Sequence, residues 1–274
     1  MSIIAFKITS SGNIPFQTQA KTLDEMTREL PQGFYTTFST LSHGTKVLGL
    51  HAHLQRLYVP AAESGVIPSI PVETLQTRIA WLAKLNLPKE SRIRLILTRN
   101  NGAVYVGIQP FEPIPQEIYQ SGVKVVTAEM VRQSPRVKDT GFISSSVEQR
   151  RQVGLDVFEV LLTKNGRVLE GMTSNFYAVK GKTLVTAQSG ILPGVTRHVI
   201  LRLARGQGMS IEYRAPFLNE KFNEAFLTSS SRGVVSIVSI DNKSVGQGSV
   251  GKWTKILSKA YQAYVEERSE RIDI

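Results

Sequence analysis

Pro110, Pro113 and Pro115 fall within six residues of one another. Each lacks a backbone N–H, so no sheet ladder runs through this stretch, and the locked φ angles stiffen it into an extended connection. The chain is thereby divided before any element is assigned. The expected layout is a small N-terminal domain over 1–109, a linker over 110–122 and a larger C-terminal domain over 123–274. A chain of 274 residues is long enough to give each part its own core.

Strand and helix patterns are mixed on both sides of the linker. In the first part, Phe34 to Leu41 and Arg92 to Thr98 read as strands, and Asn100-Asn101-Gly102 turns the second of these into Val104–Ile108. Leu75, Ile79, Leu82 and Leu85 recur at helical spacing over Glu73–Leu87. His53–Ser64 also reads as a helix, one that Pro60 should end or kink. In the second part the expected strands are Val123–Met130, Val157–Thr163, one long strand Val168–Val179, Leu184–Ala187, Ala225–Thr228 and Val234–Ser239. The expected helices are Ser144–Val153, Val195–Ala204 and Trp253–Glu267. There is no regular βαβ alternation, so the pattern predicts α+β domains rather than a doubly wound sheet.

Composition removes several classes of function. With no cysteine there are no disulfides, thiolate metal sites, iron–sulfur clusters or cysteine nucleophiles. His51 and His53 share one strand-like face without a carboxylate beside them, so no metal site is expected. The formal net charge of +11 favours anionic partners. The basic residues are scattered, without a stripe or tail, so small anions are expected rather than nucleic acid. No run of about 18 apolar residues marks a membrane span. The segment Met1–Lys7 is too short an apolar run for a signal peptide, so a cytoplasmic location is expected.

There is no Walker loop, no Gly-x-Gly-x-x-Gly after a strand, no Gly-x-Ser-x-Gly and no His-Glu-x-x-His. Five segments stand in a fixed order instead. They are His53-Leu54-Gln55-Arg56-Leu57; Lys138 within Arg136–Thr140; Gly166–Phe176, with Glu170 followed by Asn175-Phe176; Gly190-Ile191-Leu192-Pro193-Gly194-Val195-Thr196-Arg197; and Thr228-Ser229-Ser230-Ser231. In this order the chain resembles the class IV aminotransferase family, the fold-type IV pyridoxal-phosphate enzymes, from about Tyr35 to the final helix. The resemblance implies a two-domain α+β fold, pyridoxal 5'-phosphate as cofactor, and a homodimer.

The resemblance also implies roles that the chemistry makes sense of. Lys138 matches the Schiff-base lysine, whose amine later moves the substrate Cα proton. Glu170 matches the carboxylate that keeps the pyridine nitrogen protonated. The phosphate dianion calls for amides at a helix start and a cation. Gly194, Val195 and Thr196 open a predicted helix, Arg56 offers a planar donor fork, and Ser230 supplies a hydroxyl. Leu192 matches the apolar residue packed on the cofactor ring. Tyr35, Ser231 and Arg94 are the expected substrate contacts, Arg94 through a substrate carboxylate.

Within the family, Gly33-Phe34-Tyr35-Thr36-Thr37 and the compact length are more like the 4-amino-4-deoxychorismate lyases, which release 4-aminobenzoate and pyruvate. Many aminotransferases have a glutamate after that aromatic residue. An amino-acid transaminase is the alternative, of branched-chain rather than D-amino-acid type. The stretch Asn100–Tyr105 lacks the Arg and His with which D-amino-acid aminotransferases grip the substrate carboxylate. A non-catalytic cofactor- or anion-binding homologue is the remote third reading. On each reading the partner is a small anionic molecule, and on the enzymatic ones it carries an amino group. Asp139, Thr140, Gly141, Phe142 and Ile143 follow Lys138, without the Asn that many members carry there.

Overall fold

The computed structural model describes residues 3–154 and 156–272. Its contacts divide the chain into two units, neither continuous in sequence. The first runs through Glu112 and takes in Val137–Ser145 and the residues from Arg268. The second is Pro113–Arg136 with Ser146–Glu267. A cut at a single linker therefore fails for two segments. Residues 137–145 are bonded to the strand beginning at Gly33, and Ser269–Arg271 pairs with Lys46–Leu48, so both belong with the N-terminal residues.

The first unit is built on a seven-stranded antiparallel sheet. Its order is Ser269–Arg271, Lys46–Leu48, Gly33–Leu41, Ser91–Thr98, Val104–Pro110, Ile4–Ile8 and Asn13–Pro15. Side chains alternate across such a sheet. Phe34, Phe38, Ile93, Leu95 and Leu97 join one core with Leu54 and Leu57 of the helix Leu50–Glu63 and with Leu75, Ile79 and Leu82 of the helix Val72–Ala83. Tyr35 and Ile96 take the opposite face, with Leu23 and Met26 of the short helix Leu23–Arg28. Gly33 is needed where it stands, because a Cβ would lie 2.1 Å from the carbonyl oxygen of Leu97.

Pro60 does not end its helix. It lies in the last turn, and its own carbonyl still accepts the Ser64 N–H at 3.1 Å. The helix after Pro71 is shorter than its apolar spacing suggests. It stops at Ala83 and passes into a 3-10 turn at Lys84–Asn86.

The second unit has a nine-stranded mixed sheet. The path runs Ser210–Tyr213, Thr183–Thr186, Asn175–Lys180, Glu224–Ser229, Gly233–Ile240, Val123–Glu129, Glu159–Lys164 and Arg167–Gly171, with Lys243–Ser244 beside Gly233–Ile240. One face buries Val125, Leu161, Phe176, Ala178, Leu227 and Val235. Tyr177 and Phe226 stack at 4.7 Å. The helix Val195–Gly206 packs on the strand Glu224–Ser229.

Three sequence expectations change in this part of the chain. The Pro-rich stretch is not wholly extended, for Gln116–Ser121 forms a helical turn after Pro115. The helix expected over Ser144–Val153 is two short pieces, Gly141–Ser145 and Val147–Arg151, separated by Ser146 with a non-helical backbone. Ser146 Oγ accepts from Arg150 Nε at 2.9 Å, and Ser146 O accepts the Arg150 N–H at 3.0 Å, so the second piece starts from Ser146. The long strand expected over Val168–Val179 is broken at Met172–Ser174. There the Thr173 and Ser174 hydroxyls donate to Glu159, at 2.6 and 3.2 Å.

Candidate active site

In the first unit, Lys138 is positioned by the strand Gly33–Leu41. Tyr35 N–H donates to the Lys138 carbonyl at 2.9 Å, Thr140 N–H donates to Gly33 O at 2.9 Å, and Gly33 N–H donates to Thr140 Oγ1 at 2.9 Å. The Lys138 amine stands 4.8 Å from the centre of the Tyr35 ring, and the Arg94 guanidinium is 5.0 Å from the same ring. Asp139 fixes the turn that follows. One of its carboxylate oxygens accepts the Gly141 N–H at 2.6 Å and the other pairs with Arg99. The segment lacking the expected Asn is therefore held by Asp139 and Thr140.

The expected partner of Arg94 is a substrate carboxylate. Within its own unit its guanidinium lies 2.6 Å from Asp24, and it donates to Thr37 Oγ1 at 2.9 Å and to Thr27 Oγ1 at 3.0 Å. Arg99 is taken up in the same way by Asp139, and it lies 4.3 Å from the Phe34 ring. Arg56 is half-buried on the helix Leu50–Glu63, one turn after His53. His53 is buried against Phe38, and its Nδ1 is 2.7 Å from Thr36 Oγ1. Burial, reinforced by the charges of Arg56 and Lys138, holds the His53 imidazole down at about 3, so it is neutral at pH 7.

In the second unit, Glu170 closes the strand Arg167–Gly171 with 2% of its surface exposed. Its Oε1 accepts from Arg132 Nε at 2.7 Å and its Oε2 accepts the Leu192 N–H at 3.0 Å. Arg132 also donates to Met172 O at 2.8 Å. Asn175 Nδ2 donates to Leu192 O at 2.8 Å, tying the strand that follows Glu170 to the segment before the helix Val195–Gly206. Gly194 is the residue before that helix. A Cβ on it would fall 2.2 Å from Asn175 Oδ1, so only glycine fits. The helix has no acidic residue in its first turn and no side-chain cap, which leaves its N-terminal amides and dipole suited to an anion. Val195 is half-buried and Thr196 is buried. Ser230 and Ser231 lie in the turn between Glu224–Ser229 and Gly233–Ile240.

The second unit thus joins Glu170, Leu192 and Gly194 through Asn175, and the first places Lys138 on Tyr35. The sequence reading missed Arg132, an arginine in an irregular segment with no periodicity around it. Asn175, which stands in the motif after Glu170, ties its strand to the Leu192 segment through its side chain. Within the second unit, a buried carboxylate suits a protonated ring nitrogen and an uncapped helix mouth suits a phosphate; within the first, the Lys138 amine suits an aldehyde.

Comparison with known proteins agrees with this chemistry. The family profile described as amino-transferase class IV matches residues 33–240. A probable branched-chain-amino-acid aminotransferase of Thermotoga maritima is 32% identical, over 87% of this chain and 88% of that protein. A D-alanine aminotransferase of Bacillus licheniformis is 29% identical, over 78% of this chain and 81% of that protein. In fold, the chain is similar to a T.th. branched-chain amino acid aminotransferase solved with pyridoxamine 5'-phosphate. The TM-score is 0.82 at 17% identity, with 98% of each chain covered. The chain belongs to the class IV aminotransferases. It is a pyridoxal-phosphate-dependent enzyme of fold type IV.

Proposed function

We propose that this enzyme is a transaminase for amino acids with neutral, apolar side chains, of branched-chain rather than D-amino-acid type. The observation that carries the reading is the pairing of Arg94 with Asp24 and of Arg99 with Asp139. Both arginines near Tyr35 and Phe34 are neutralised by aspartates, which disfavours a second carboxylate on the substrate. The hairpin at Asn100–Ala103 adds no cation. The Asn101 side chain closes it by accepting from Thr98 Oγ1 at 2.8 Å and from Ala103 N–H at 3.1 Å. Similarity to a branched-chain and a D-alanine aminotransferase over about four-fifths of the chain supports transamination.

The lyase reading draws on Thr36 and Thr37 after Tyr35. Both have scaffold work here, Thr36 against His53 and Thr37 against Arg94. The lyase substrate also carries two carboxylates, which the neutralised arginines do not favour.

The assignment of roles follows the donor set. When bound, pyridoxal phosphate supplies an aldehyde carbon for the substrate nitrogen and a ring that accepts electron density. Lys138 would hold it and, once released as a neutral amine, would take the proton from the substrate Cα. Glu170, oriented by Arg132, keeps the ring nitrogen protonated. Arg56, Gly194, Val195, Thr196 and Ser230 hold the phosphate, and Leu192 packs on the ring. Tyr35 and Ser231 face the substrate. The active assembly is a homodimer, and the protein works in the cytoplasm; among the described residues no helix is long and apolar enough to cross a membrane.

The deciding experiment incubates purified holoenzyme with L- and D-amino acids plus pyruvate, an acceptor with a single carboxylate, and separately with 4-amino-4-deoxychorismate. Keto-acid formation from leucine, isoleucine or valine, dependent on the acceptor, is the expected result. Release of 4-aminobenzoate and pyruvate without acceptor, with no transamination, overturns the proposal.

A further inference from the structure

We infer that Arg232 is a positioning residue for cofactor binding: it fixes the Ser229–Ser231 turn against the Met172–Ser174 loop and so sets where Ser230 is presented. The inference rests on the reading that Ser230 grips the phosphate. All the residues involved lie in the second unit.

Arg232 holds both sides of this junction at once. Its Nε donates to Ser229 Oγ at 3.2 Å, inside the turn. Its terminal NH2 donates to Glu159 Oε2 at 2.7 Å and also to Thr173 Oγ1. Glu159 is 1% exposed, and the same oxygen accepts from Thr173 at 2.6 Å and Ser174 at 3.2 Å. The chain passes close to itself here, for a Cβ on Gly171 would meet Ser174 Oγ at 2.1 Å. The Arg232 backbone is pinned as well, its carbonyl accepting from Tyr119 OH at 2.8 Å, and its guanidinium lies 5.0 Å from the Phe158 ring.

Glu159 neutralises the Arg232 charge, so Arg232 acts by geometry rather than as an anion-binding cation. A guanidinium suits this task, since its rigid fork serves Ser229 and Glu159 in one plane, whereas a lysine ammonium offers a single point of attachment. Glu159 and Arg232 are 73 residues apart, so no local pattern signals the pair.

The test titrates apoprotein with pyridoxal phosphate for the wild type, S230A, R232Q and R232K, and records the 31P resonance of the bound phosphate. Losing a positioned, charge-assisted contact should raise Kd about tenfold in R232Q, with a displaced or broadened 31P signal. R232K should recover part of the affinity and move the resonance back toward the wild type. If S230A weakens binding but R232Q and R232K bind as tightly as wild type, the positioning inference is overturned and the phosphate reading survives. If S230A has no effect, the phosphate reading fails and takes the inference with it. Should R232Q not fold, T173V removes one side of the junction at nearly constant volume. An unchanged Kd and 31P signal in T173V overturns the inference, and a weakened, shifted one supports it.

Discussion

Arg132 and Glu170 form an ion pair at 2.7 Å with side-chain exposures of only 4% and 2%. A carboxylate this deeply buried needs partners for both oxygens, and the Leu192 N–H supplies the second. R132M therefore strands a buried charge, and about 3–5 kcal/mol of stability should be lost in urea unfolding of the apoprotein. The double variant R132M/E170L, with both charges gone, should regain most of that loss but bind cofactor poorly. A single-variant cost below about 1 kcal/mol would show that the pair does not hold Glu170 in place.

Lys138 is the amine expected to carry the cofactor. Borohydride reduction of the holoenzyme followed by peptide mass spectrometry should find the pyridoxyl label on the peptide containing Lys138. K138A should show no label and no transamination. Label on another lysine in the wild type would remove the basis of the mechanism.

His53 makes stability depend on pH. In the folded protein its pKa is held at about 3, against 6.5 for an ordinary histidine. Between these values the unfolded chain binds a proton that the folded chain does not. The contribution is complete above pH 6.5 and is lost as pH falls toward 3, by up to about 1.4 kcal/mol per pH unit. The H53Q variant keeps an amide that can hydrogen-bond Thr36, and its urea midpoint should fall less steeply than wild type between pH 6.5 and 4. Parallel curves for the two proteins would count against a neutral buried imidazole.

Gly194 packs directly on the Asn175 amide oxygen. Added volume at such a site costs about 1–3 kcal/mol. G194A should also break the Asn175–Leu192 link and weaken cofactor affinity by tenfold or more, measured by apoprotein titration. Wild-type affinity in G194A would mean that the helix mouth tolerates the shift.

Asp24 neutralises Arg94 beneath Tyr35. Removing its charge with D24N should release the guanidinium toward the substrate side. The ratio of kcat/KM for glutamate to that for leucine should then rise by about tenfold, the scale of one recovered charge contact. An unchanged ratio would mean that Arg94 does not face the substrate.

Strands rich in β-branched and aromatic residues were legible in the sequence because propensity and alternation agree over their whole length. Gly33–Leu41 and Ser91–Thr98 are examples. The helix after Gly194 was legible for the same reason, through its start signal and its period. The break at Met172–Ser174 was not, because Thr173 and Ser174 suit a strand locally, and the bonds that bend the chain go to Glu159, 14 and 15 residues away. Two short helices stand in place of one because the backbone leaves the helical region at Ser146, a residue whose type does not mark a break.

By itself the sequence determined the class of fold, the family, the cofactor's chemistry and the candidates Lys138, Glu170 and Gly194, because those residues recur in order within short motifs. Tertiary structure alone decided which charges are neutralised. Arg94 meets Asp24 across 70 residues, Arg132 meets Glu170 across 38, and Arg232 meets Glu159 across 73. Pairings at such separations depend on strand register and chain reversal, and a one-residue slip in register would turn Arg94 to the other face of its sheet.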